Sequence, residues 1–395
     1  MKTKSMNYDE LSQLKTPSFV IDSDALETNL HQFKSALERH WGTNSELSYS
    51  IKTNPFFWIL DTVKKCNCIA EAVSDEEYQF ALQRGFVPEN IVFNGPIKSE
   101  AMFKLAVSKA SIVNIDSARE LRWLAELSQT NPQNSYEVGL RVNVDLDSIV
   151  PDQTVTKGRG SRFGFCNANG ELKSAIKKVR SLPNVSIAGL HMHITTLSRS
   201  LDVYELICRQ AIEVVGEHNL LLNYIDIGGG FYGGGEVDGA SYNAYAERIA
   251  SVLKTTFDPE KTKLIVEPGG SVICTPVKYL GRVIDAKQTN YTRVVTTDLS
   301  RLNIDHEMKK DSYDLEVYFK GDSCNRKLAS QQLICGFTCM DSDRLCYLNN
   351  KETLEEGDII VINNAGAYSM SFSPAFFIRR FPTVYAKLGG GTYIE

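Results

Sequence analysis

Leu47-Ser-Tyr-Ser-Ile-Lys52-Thr-Asn-Pro55 is the stretch on which the fold prediction depends. Its first five residues suit the pleated, buried surface of a β-strand, and the Thr-Asn-Pro that follows Lys52 ends the extended segment. The predicted strand therefore holds Lys52 at its carboxyl end. A lysine there is partly desolvated, which disfavours the charged ammonium and makes the amine a usable nucleophile toward a carbonyl. The competing interpretation is a solvated lysine that merely follows a strand.

Composition limits the classes to which the chain can belong. Its 395 residues, 43% hydrophobic and 23% charged, can bury a large core, and the length predicts two domains. The net charge of -5 gives no basic surface for nucleic acid or anionic membrane. Residues 1–10 lack the apolar core of a signal peptide, and no run approaches the roughly 18 apolar residues of a membrane span. We therefore expect a soluble, cytoplasmic protein without a membrane partner.

The cysteines favour reduced thiols over disulfides or a metal site. There are nine, an odd number, scattered through a chain without a secretion signal. Cys66-Asn-Cys68 and Cys335-Gly-Phe-Thr-Cys339 are close pairs, but neither has a matching second pair or a histidine at zinc spacing. We predict no metal site.

From Leu47 onward, short apolar runs alternate with stretches of helical periodicity. The runs expected to be strands are Leu47–Ile51, Ile69–Val73, Ile91–Phe93, Ile112–Ile115, Val138–Val144, Ile187–Ile194, Tyr224–Ile227 and Leu264–Val266. The helices expected between them include Asp75–Gln83, Ser99–Ser108, Ala118–Ser128, Leu201–Glu217 and Ser241–Lys254. Eight strand–helix units in about 220 residues are typical of a (β/α)8 barrel.

Both ends of the chain have a different pattern. Thr16–Asp22 predicts an early strand and Asp24–Glu38 a helix, with Ser23 or Asp24 as its N-cap. After Gly270, β-type runs predominate: Val272–Thr275, Gly281–Ala286, Thr292–Thr297, Leu333–Gly336 and Asp358–Ile362. We predict an α/β fold in which residues 24–270 form a TIM-like barrel. Residues 1–23 and 271–395 are expected to form a largely antiparallel β domain, a β-barrel or β-sandwich.

Catalytic residues of such barrels lie at the carboxyl ends of the strands, where the unusual residues of this sequence fall. They are Lys52, Arg141, Asn143, His191, His193, Asp226-Ile-Gly-Gly-Gly230 and Glu267-Pro-Gly-Gly270. Consecutive glycines leave backbone N–H groups free to approach a phosphate, although the same run could be only a tight turn. A nucleophilic amine, a phosphate cradle, a stacking imidazole and a carboxylate on one rim predict a site for pyridoxal 5'-phosphate.

Ten motifs, in order along nearly the whole chain, resemble those of one enzyme family. They are Tyr49-Ser-Ile-Lys52-Thr-Asn-Pro55, Ala72-Val-Ser74 with Glu77, Ile115-Asp-Ser117, Leu140-Arg-Val-Asn143, Ser161-Arg-Phe-Gly164, Gly189-Leu-His-Met-His193, Asp226-Ile-Gly-Gly-Gly-Phe231, Glu267-Pro-Gly269, Cys339-Met-Asp-Ser-Asp343 and Gly366-Ala-Tyr368. The chain resembles the fold-type III pyridoxal-phosphate decarboxylases, which include diaminopimelate and eukaryotic-type ornithine decarboxylases and share their barrel with alanine racemase. The resemblance implies an alanine racemase-like fold, a carboxy-lyase with a small-molecule amino-acid substrate, and a homodimer with active sites at the subunit interface.

The resemblance also implies roles for individual residues. Lys52 would form the Schiff base with the cofactor, His193 would stack on its ring, and Cys339 would reprotonate the α-carbon. The phosphate would be held by Thr196, Gly228, Gly229, Gly230 and Tyr368. Glu267 would pair with the ring nitrogen, where racemases of this fold place an arginine, and this favours decarboxylation. Cys339 and Asp343 would come from the other subunit, and His191 is expected to be an ordinary, satisfied core histidine.

Departures from the family pattern leave the substrate open. Gly270 replaces the arginine that usually follows Glu-Pro-Gly, so a contact is missing or is supplied by Lys157, Arg159 or Arg162. Met340 stands where these decarboxylases carry an acidic residue for the distal amino group, and a thioether cannot pair with an ammonium. Residues that would restore an acidic pocket are Asp298, Asp305 and Asp341, whereas Arg301 would meet a carboxylate.

The sequence therefore favours an α-decarboxylase of a non-standard diamino or substituted amino acid from a specialised pathway, such as siderophore or antibiotic synthesis. Three alternatives remain: an ordinary diaminopimelate decarboxylase of lysine biosynthesis, an amino-acid racemase on the same fold, and a catalytically silent binding relative. Retention of Lys52, His193, Glu267 and Cys339 together argues against the silent relative.

Overall fold

The computed structural model describes residues 7–151, 153–305, 307–310, 312–322, 324–372, 381–389 and 392–395. The chain divides into two compact units: the larger is Glu27–Val272, and the smaller joins Met1–Leu26 to Ile273–Glu395. The described chain begins with α1 (Tyr8–Ser12), β1 (Ser18–Asp22) and α2 (Ser23–His40). Among the helices that the structure describes, none combines the length and the apolar character that a membrane span requires.

Parallel strands close a barrel in the larger unit. They are β2 (Ser45–Ser50), β3 (Ile69–Ala72), β4 (Ile91–Phe93), β5 (Ile112–Ile115), β6 (Tyr136–Asn143), β8 (Val185–His191), β9 (Tyr224–Asp226) and β10 (Lys263–Val266), while the short β7 (Phe165–Cys166) pairs with β6 outside this ring. Each strand pairs with the next, and β10 returns to β2 with Leu264 opposite Ser45. The eight strands predicted for the barrel are confirmed.

Amphipathic helices separate the strands. They are α3 (Phe57–Lys65), α4 (Asp75–Gln83), α5 (Glu100–Ser108), α6 (Ala118–Thr130), α7 (Glu171–Arg180), α8 (Leu201–His218) and α9 (Tyr242–Leu253). Four of them begin after a serine whose hydroxyl accepts a first-turn backbone N–H: Ser74, Ser99, Ser200 and Ser241. The predicted helices differ from these by at most two residues at an end. At α2 the predicted cap is wrong, because Asp22 accepts the Ala25 N–H at 3.0 Å and is the N-cap.

The barrel strands read as continuous apolar runs because both of their faces are buried. A cluster of Ile69, Val92, Ala188, Tyr224 and Ile265, from five different strands, packs within the unit. Tyr224 fits only because two neighbours are glycines: a Cβ at Gly189 would lie 2.2 Å from its Cε2, and one at Gly139 would lie 2.1 Å from its hydroxyl.

The smaller unit is built on a mixed β-sheet. Besides β1 it contains β11 (Val277–Gln288), β12 (Arg293–Thr297), β13 (Leu315–Tyr318), β14 (Leu328–Cys335), β15 (Arg344–Glu352), β16 (Ile359–Ile362), β17 (Thr383–Leu388) and β18 (Thr392–Ile394). β1 lies between β11 and β17, which confirms the placement of the early strand. Most pairs are antiparallel as predicted, but β1–β17 and β12–β14 are parallel. The long connection from β12 to β14 makes the second parallel pairing possible.

One predicted strand is wrong. Val272–Thr275 does not form a strand, because residues Gly270–Ile273 form the short helix α10. Val272 donates its N–H to the Gly269 carbonyl at 3.1 Å, and the side chains of Val272 and Ile273 are fully buried. A short apolar run gives the same periodicity signal in a buried turn of helix as in a strand.

Candidate active site

Lys52 lies directly beyond the carboxyl end of β2, in a 3-10 turn formed by Ile51–Thr53. Its Nζ donates to Ser50 Oγ at 2.7 Å and to Glu71 Oε2 at 2.8 Å. The Lys52 side chain is 39% exposed, whereas that of Glu71 is 1% exposed. The amine predicted to be a nucleophile is therefore partly exposed and paired with a buried carboxylate, a neighbour that favours the charged form.

Asn94, which follows β4, connects two buried carboxylates. Its Nδ2 donates to Glu71 Oε1 at 3.2 Å and to Glu267 Oε1 at 2.5 Å. Its Oδ1 accepts from Asn114 Nδ2 at 2.9 Å. The partner of Lys52 and the carboxylate at the end of β10 thus belong to one buried hydrogen-bond network.

His191, the last residue of β8, and His193 have parallel rings, with centroids 6.1 Å apart and planes 4° from parallel. His193 Nδ1 accepts the Gly229 N–H at 3.3 Å. Burial, with help from Arg141 and His191, lowers the pKa of His193 to about 3. His193 is therefore a neutral imidazole whose proton sits on Nε2.

His191 departs from the satisfied core histidine that we expected. Its side chain is 2% exposed, and its Nε2 lies 3.4 Å from Glu267 Oε2. Among the described residues, neither ring nitrogen has a hydrogen-bond partner. The unsatisfied ring lies against a carboxylate rather than within an apolar core.

The glycine turn after β9 has no room for side chains. Gly228 and Gly230 have φ of +71° and +96°, in the region that favours glycine. A Cβ at Gly228 would lie 2.5 Å from the His193 Cβ, and one at Gly229 would lie 2.2 Å from the Glu267 carbonyl oxygen. The backbone of this turn therefore packs directly against the segments that carry His193 and Glu267.

The described residues fit the phosphate of the predicted cofactor. The Thr196 hydroxyl is buried and has no hydrogen-bond partner among the residues that the structure describes. Thr196 lies three residues after His193, and the hydrogen bond between His193 and the Gly229 N–H joins this segment to the glycine turn. A phosphate would give this hydroxyl a partner and would meet the N–H groups of a turn that only glycines can form.

Two carboxyl groups meet beside this turn. One oxygen each of Asp226 and Glu267 and one ring nitrogen of His191 all lie within 4.8 Å of one another, and all three residues are buried. Two ionised carboxylates about 4 Å apart repel by about 4 kcal/mol at an effective dielectric constant of 20. Asp226 and Glu267 therefore cannot both carry a full charge.

The remaining predicted residues lie in the smaller unit, around a buried carboxylate. Asp343 accepts four hydrogen bonds: from Arg301 N, Ser300 Oγ, and the backbone N–H and hydroxyl of Thr338. Cys339 is an exposed free thiol, Met340 is half-buried, Asp341 is fully exposed, and Tyr368 is 41% exposed. These contacts fix the loop that presents Cys339.

Two of the three aspartates expected to restore an acidic pocket, Asp298 and Asp305, already have hydrogen-bond partners. Asp305 accepts the Arg301 Nε–H at 3.0 Å and the Tyr313 hydroxyl at 3.1 Å. Asp298 Oδ1 accepts the Arg282 N–H at 2.7 Å. Both carboxylates therefore already bind their own unit.

Lys157, Arg159 and Arg162, the candidates to replace the missing arginine, lie in different surroundings. Lys157 and Arg159 are exposed on the loop after β6, which is tied to the Thr196 segment by the Leu197 N–H to Gln153 carbonyl bond of 2.7 Å. Arg162 stacks over Phe163 at 4.2 Å.

Sequence reasoning missed three residues: Glu71, Asn94 and Arg199. The Arg199 guanidinium lies 5.3 Å from the ring centre of Tyr232, which follows the glycine turn. The Arg199 backbone carbonyl accepts a hydrogen bond from the Tyr245 hydroxyl. Glu71 could have been found, because an acidic residue inside a buried apolar run is rare. No sequence signal joins Arg199 to Tyr232, since only the fold brings them together.

Comparison with known proteins agrees with this geometry. Residues 23–274 match the family model described as pyridoxal-dependent decarboxylase, pyridoxal binding domain. The chain is 27% identical to the diaminopimelate decarboxylase of Zymomonas mobilis over 373 residues, covering 92% of this chain and 86% of that protein. It is 23% identical over 404 residues to an L-glutamyl-acyl-carrier-protein decarboxylase of Niallia circulans, covering 96% and 90%.

The fold is similar to the crystal structure of diaminopimelate decarboxylase from M. jannaschii. The TM-score is 0.85 at 22% identity, and the match covers 98% of this chain and 90% of that one. The predicted cofactor, fold and family are confirmed. The chain belongs to the pyridoxal-dependent decarboxylase family and is an amino-acid carboxy-lyase of the diaminopimelate and ornithine decarboxylase group that uses pyridoxal 5'-phosphate.

Proposed function

We propose that this enzyme decarboxylates a non-standard diamino or substituted amino acid whose distal group is not read by the acidic residue usual in its family. The supporting observation is the state of the candidate acids. Met340 has no charge to offer, Asp305 and Asp298 are already bound within their own unit, and Asp341 is fully exposed rather than in a pocket. Relatives at about 25% identity act on diaminopimelate or, in one case, on a carrier-bound glutamyl group, and this spread leaves the substrate open.

We assign the cofactor contacts to residues at the carboxyl ends of the barrel strands. Lys52 would bind the cofactor aldehyde, the Gly228–Gly230 turn and Thr196 the phosphate, and Glu267 the ring nitrogen, with Tyr368 as a further phosphate contact. Neutral His193 would lie against the ring face. When bound, pyridoxal 5'-phosphate supplies the electron sink that accepts the electron pair left on the α-carbon as carbon dioxide departs.

The protein residues then handle protons. Glu71 Oε2, 2.8 Å from Lys52 Nζ, is placed to accept the proton that the ammonium must lose before it becomes a nucleophile. Anionic Glu267 would hold a proton on the ring nitrogen. The exposed Cys339 thiol would deliver a proton to the α-carbon, with its loop held in place through Asp343.

The test of the reaction is carbon dioxide release by purified protein from a panel of amino acids. The panel includes ornithine, lysine, arginine, glutamate, meso-diaminopimelate, substituted derivatives of these, and a glutamyl carrier protein. We expect release from a substituted or non-standard member and weak activity on meso-diaminopimelate. Efficient release from meso-diaminopimelate, with rescue of a lysine auxotroph, would instead establish an ordinary diaminopimelate decarboxylase. Loss of optical activity without gas release would establish a racemase.

The anchor is tested separately with Lys52→Ala. We expect the near-visible absorbance of the bound cofactor to disappear, and borohydride reduction of the wild-type protein to leave the cofactor on the peptide that contains residue 52. The surface variant Lys65→Ala is the control. A cofactor found on another lysine would reject the assignment, and a colourless wild-type protein that refuses the cofactor would support the silent relative.

A further inference from the structure

Asp226 and Glu267 form a buried pair of carboxyl groups at the carboxyl ends of adjacent strands. Asp226 ends β9, opposite Ile265 of β10, and Glu267 is the residue that follows β10. The Asp226 side chain is fully buried and Glu267 is 5% exposed. Neither group can reach bulk water to relieve its charge, so the pair must share its protons locally.

The surroundings of the two groups differ. Glu267 Oε1 accepts the short 2.5 Å hydrogen bond from Asn94, and its other oxygen faces His191 at 3.4 Å. Asp226 Oδ1 accepts the Gly228 N–H at 2.9 Å, while the amide donor nearest to its Oδ2, on Asn114, is 3.5 Å away. Glu267 therefore has the better partners for a negative charge, and Asp226 Oδ2 is the better place for a proton.

The acid–base balance points the same way. Burial raises the pKa of Asp226 well above its ordinary value, and Glu267 raises it further. Burial would raise the pKa of Glu267 as well, but the neighbouring His191, Asp226 and Lys52 outweigh this effect and lower it. Other titratable groups near Asp226 among the described residues are Glu71 on β3, whose charge raises its pKa further, His191 at the end of β8, and Tyr224, whose own pKa Asp226 raises.

We propose that Asp226 is a protonated positioning residue that donates a hydrogen bond to Glu267 and so keeps Glu267 anionic and fixed in orientation. This inference rests on the role proposed above for Glu267. It adds the reason why the Glu267 carboxylate stays negatively charged. Because the same aspartate accepts the Gly228 N–H, it also ties that charge to the start of the glycine turn. One buried acid thus fixes the position of Glu267, the carboxylate expected at the ring nitrogen. It also fixes the start of the glycine turn expected at the phosphate.

The variants Asp226→Asn and Asp226→Ala test whether Asp226 acts as a neutral hydrogen-bond donor or as a charged carboxylate. If it is a neutral donor, asparagine can replace it and alanine cannot. Asparagine keeps the oxygen that accepts the Gly228 N–H and an N–H that can donate to Glu267, whereas alanine keeps neither. We expect Asp226→Asn to stay within about tenfold of wild-type kcat and Asp226→Ala to lose about tenfold more. Tyr224→Phe is the control, since it removes a nearby buried hydroxyl that bonds Asn114 and neither carboxyl group.

Two readouts do not depend on turnover. Infrared spectra of the purified wild-type protein at neutral pH should contain the carbonyl stretch of a protonated carboxylic acid, which Asp226→Asn should lose and Tyr224→Phe should keep. Nitrogen NMR with labelled cofactor should show a protonated ring nitrogen in the wild type and in Asp226→Asn, and a weakened signal in Asp226→Ala. If the alanine variant does not fold, the infrared band and the asparagine variant still decide.

Three results would overturn the inference. They are absence of the acid band, an asparagine variant as impaired as the alanine variant, or a stoichiometric divalent ion that Asp226→Asn releases. The role of Glu267 is tested independently by Glu267→Gln. A ring nitrogen that stays protonated in Glu267→Gln rejects the role of Glu267 itself. Deprotonation there, combined with an unaffected Asp226→Ala, rejects only the role of Asp226.

Discussion

Arg199 lies close to two tyrosines that adjoin the glycine turn, Tyr204 and Tyr232. Burial raises the pKa of Tyr204, whose hydroxyl donates to the Gly229 carbonyl, and the charge of Arg199 opposes that rise. The guanidinium also lies over Tyr232, just after the turn. We therefore propose Arg199 as a substitute for the family arginine that Gly270 replaces, with its charge directed at the phosphate.

We predict that Arg199→Ala weakens pyridoxal 5'-phosphate binding about tenfold, the effect of one charge-assisted contact. Arg199→Lys should recover part of the loss. The measurement is the cofactor dissociation constant, obtained by fluorescence titration of apoprotein, with inorganic phosphate as competitor. Arg159→Ala, on the exposed loop after β6, is the matched variant. A loss in Arg159→Ala with none in Arg199→Ala would assign the missing contact to that loop.

His193 gives a pH dependence with a definite sign. Its pKa falls from 6.5 to about 3 on folding, so the unfolded chain binds the proton more tightly. Its contribution to stability is present above pH 6.5 and is lost as the pH falls from 6.5 toward 3, by at most about 1.4 kcal/mol per pH unit. We expect His193→Phe to flatten that acid-side decline in the free energy of unfolding, measured with urea at about pH 7 and about pH 5. An equal decline in both proteins would contradict the assignment.

The success of sequence reasoning at this scale depended on where a residue lies. Lys52, His193 and Glu267 could be predicted because each follows a strand, and all barrel strands end at one rim. Asn94 also follows a strand, but no sequence signal joins it to Glu71 and Glu267, and Arg199 meets Tyr232 only in the fold. The pairing of Lys52 with Glu71 could not be predicted either, because only the fold places this carboxylate beside the amine.

At the scale of elements, Gly229 in the turn after β9 can be compared with Gly216 inside α8. A Cβ at Gly229 would lie 2.2 Å from the Glu267 carbonyl oxygen, so a side chain there must displace backbone at the end of β10. Gly216 lies inside α8, and a Cβ there meets nothing within 4 Å. One glycine is required by packing and the other is not.

We predict that Gly229→Ala lowers cofactor affinity at least about tenfold, because it shifts Glu267 and the phosphate cradle together. Gly216→Ala should leave affinity unchanged and raise the free energy of unfolding by about 0.5–1 kcal/mol through better helix propensity. Cofactor titration and urea unfolding of both variants measure the contrast. Normal cofactor binding in Gly229→Ala would show that the turn can move without loss.

The errors among the predicted elements have physical causes. The barrel strands and helices were found because long alternating patterns repeat, and serine caps mark the helix starts. Val272–Thr275 was misassigned because burial makes four apolar residues look alike in a helix and in a strand. The parallel β12–β14 pair was missed because residue patterns show neither strand order nor direction.

At the scale of the whole molecule, the residues proposed for catalysis come from both units of the chain. Lys52 and Glu267 belong to the barrel unit, whereas Cys339 and Tyr368 belong to the β unit. Family resemblance implies that Cys339, together with Asp343, comes from a partner subunit, so we propose a homodimer with shared active sites. This arrangement makes a prediction that no single-subunit site can satisfy.

We predict that Lys52→Ala and Cys339→Ala, each nearly inactive alone, restore activity when mixed as subunits. A mixed dimer with shared sites has one site with neither change and one with both. If subunits combine at random, half of the dimers are mixed, and the expected activity is about one quarter of wild type. The measurement is carbon dioxide release after co-refolding, with the dimer verified by sedimentation. If each active site lay within one subunit, no site in the mixture would contain both an intact Lys52 and an intact Cys339. An inactive mixture of verified dimers would therefore reject the shared site. It would not contradict the roles proposed for Lys52 and Cys339.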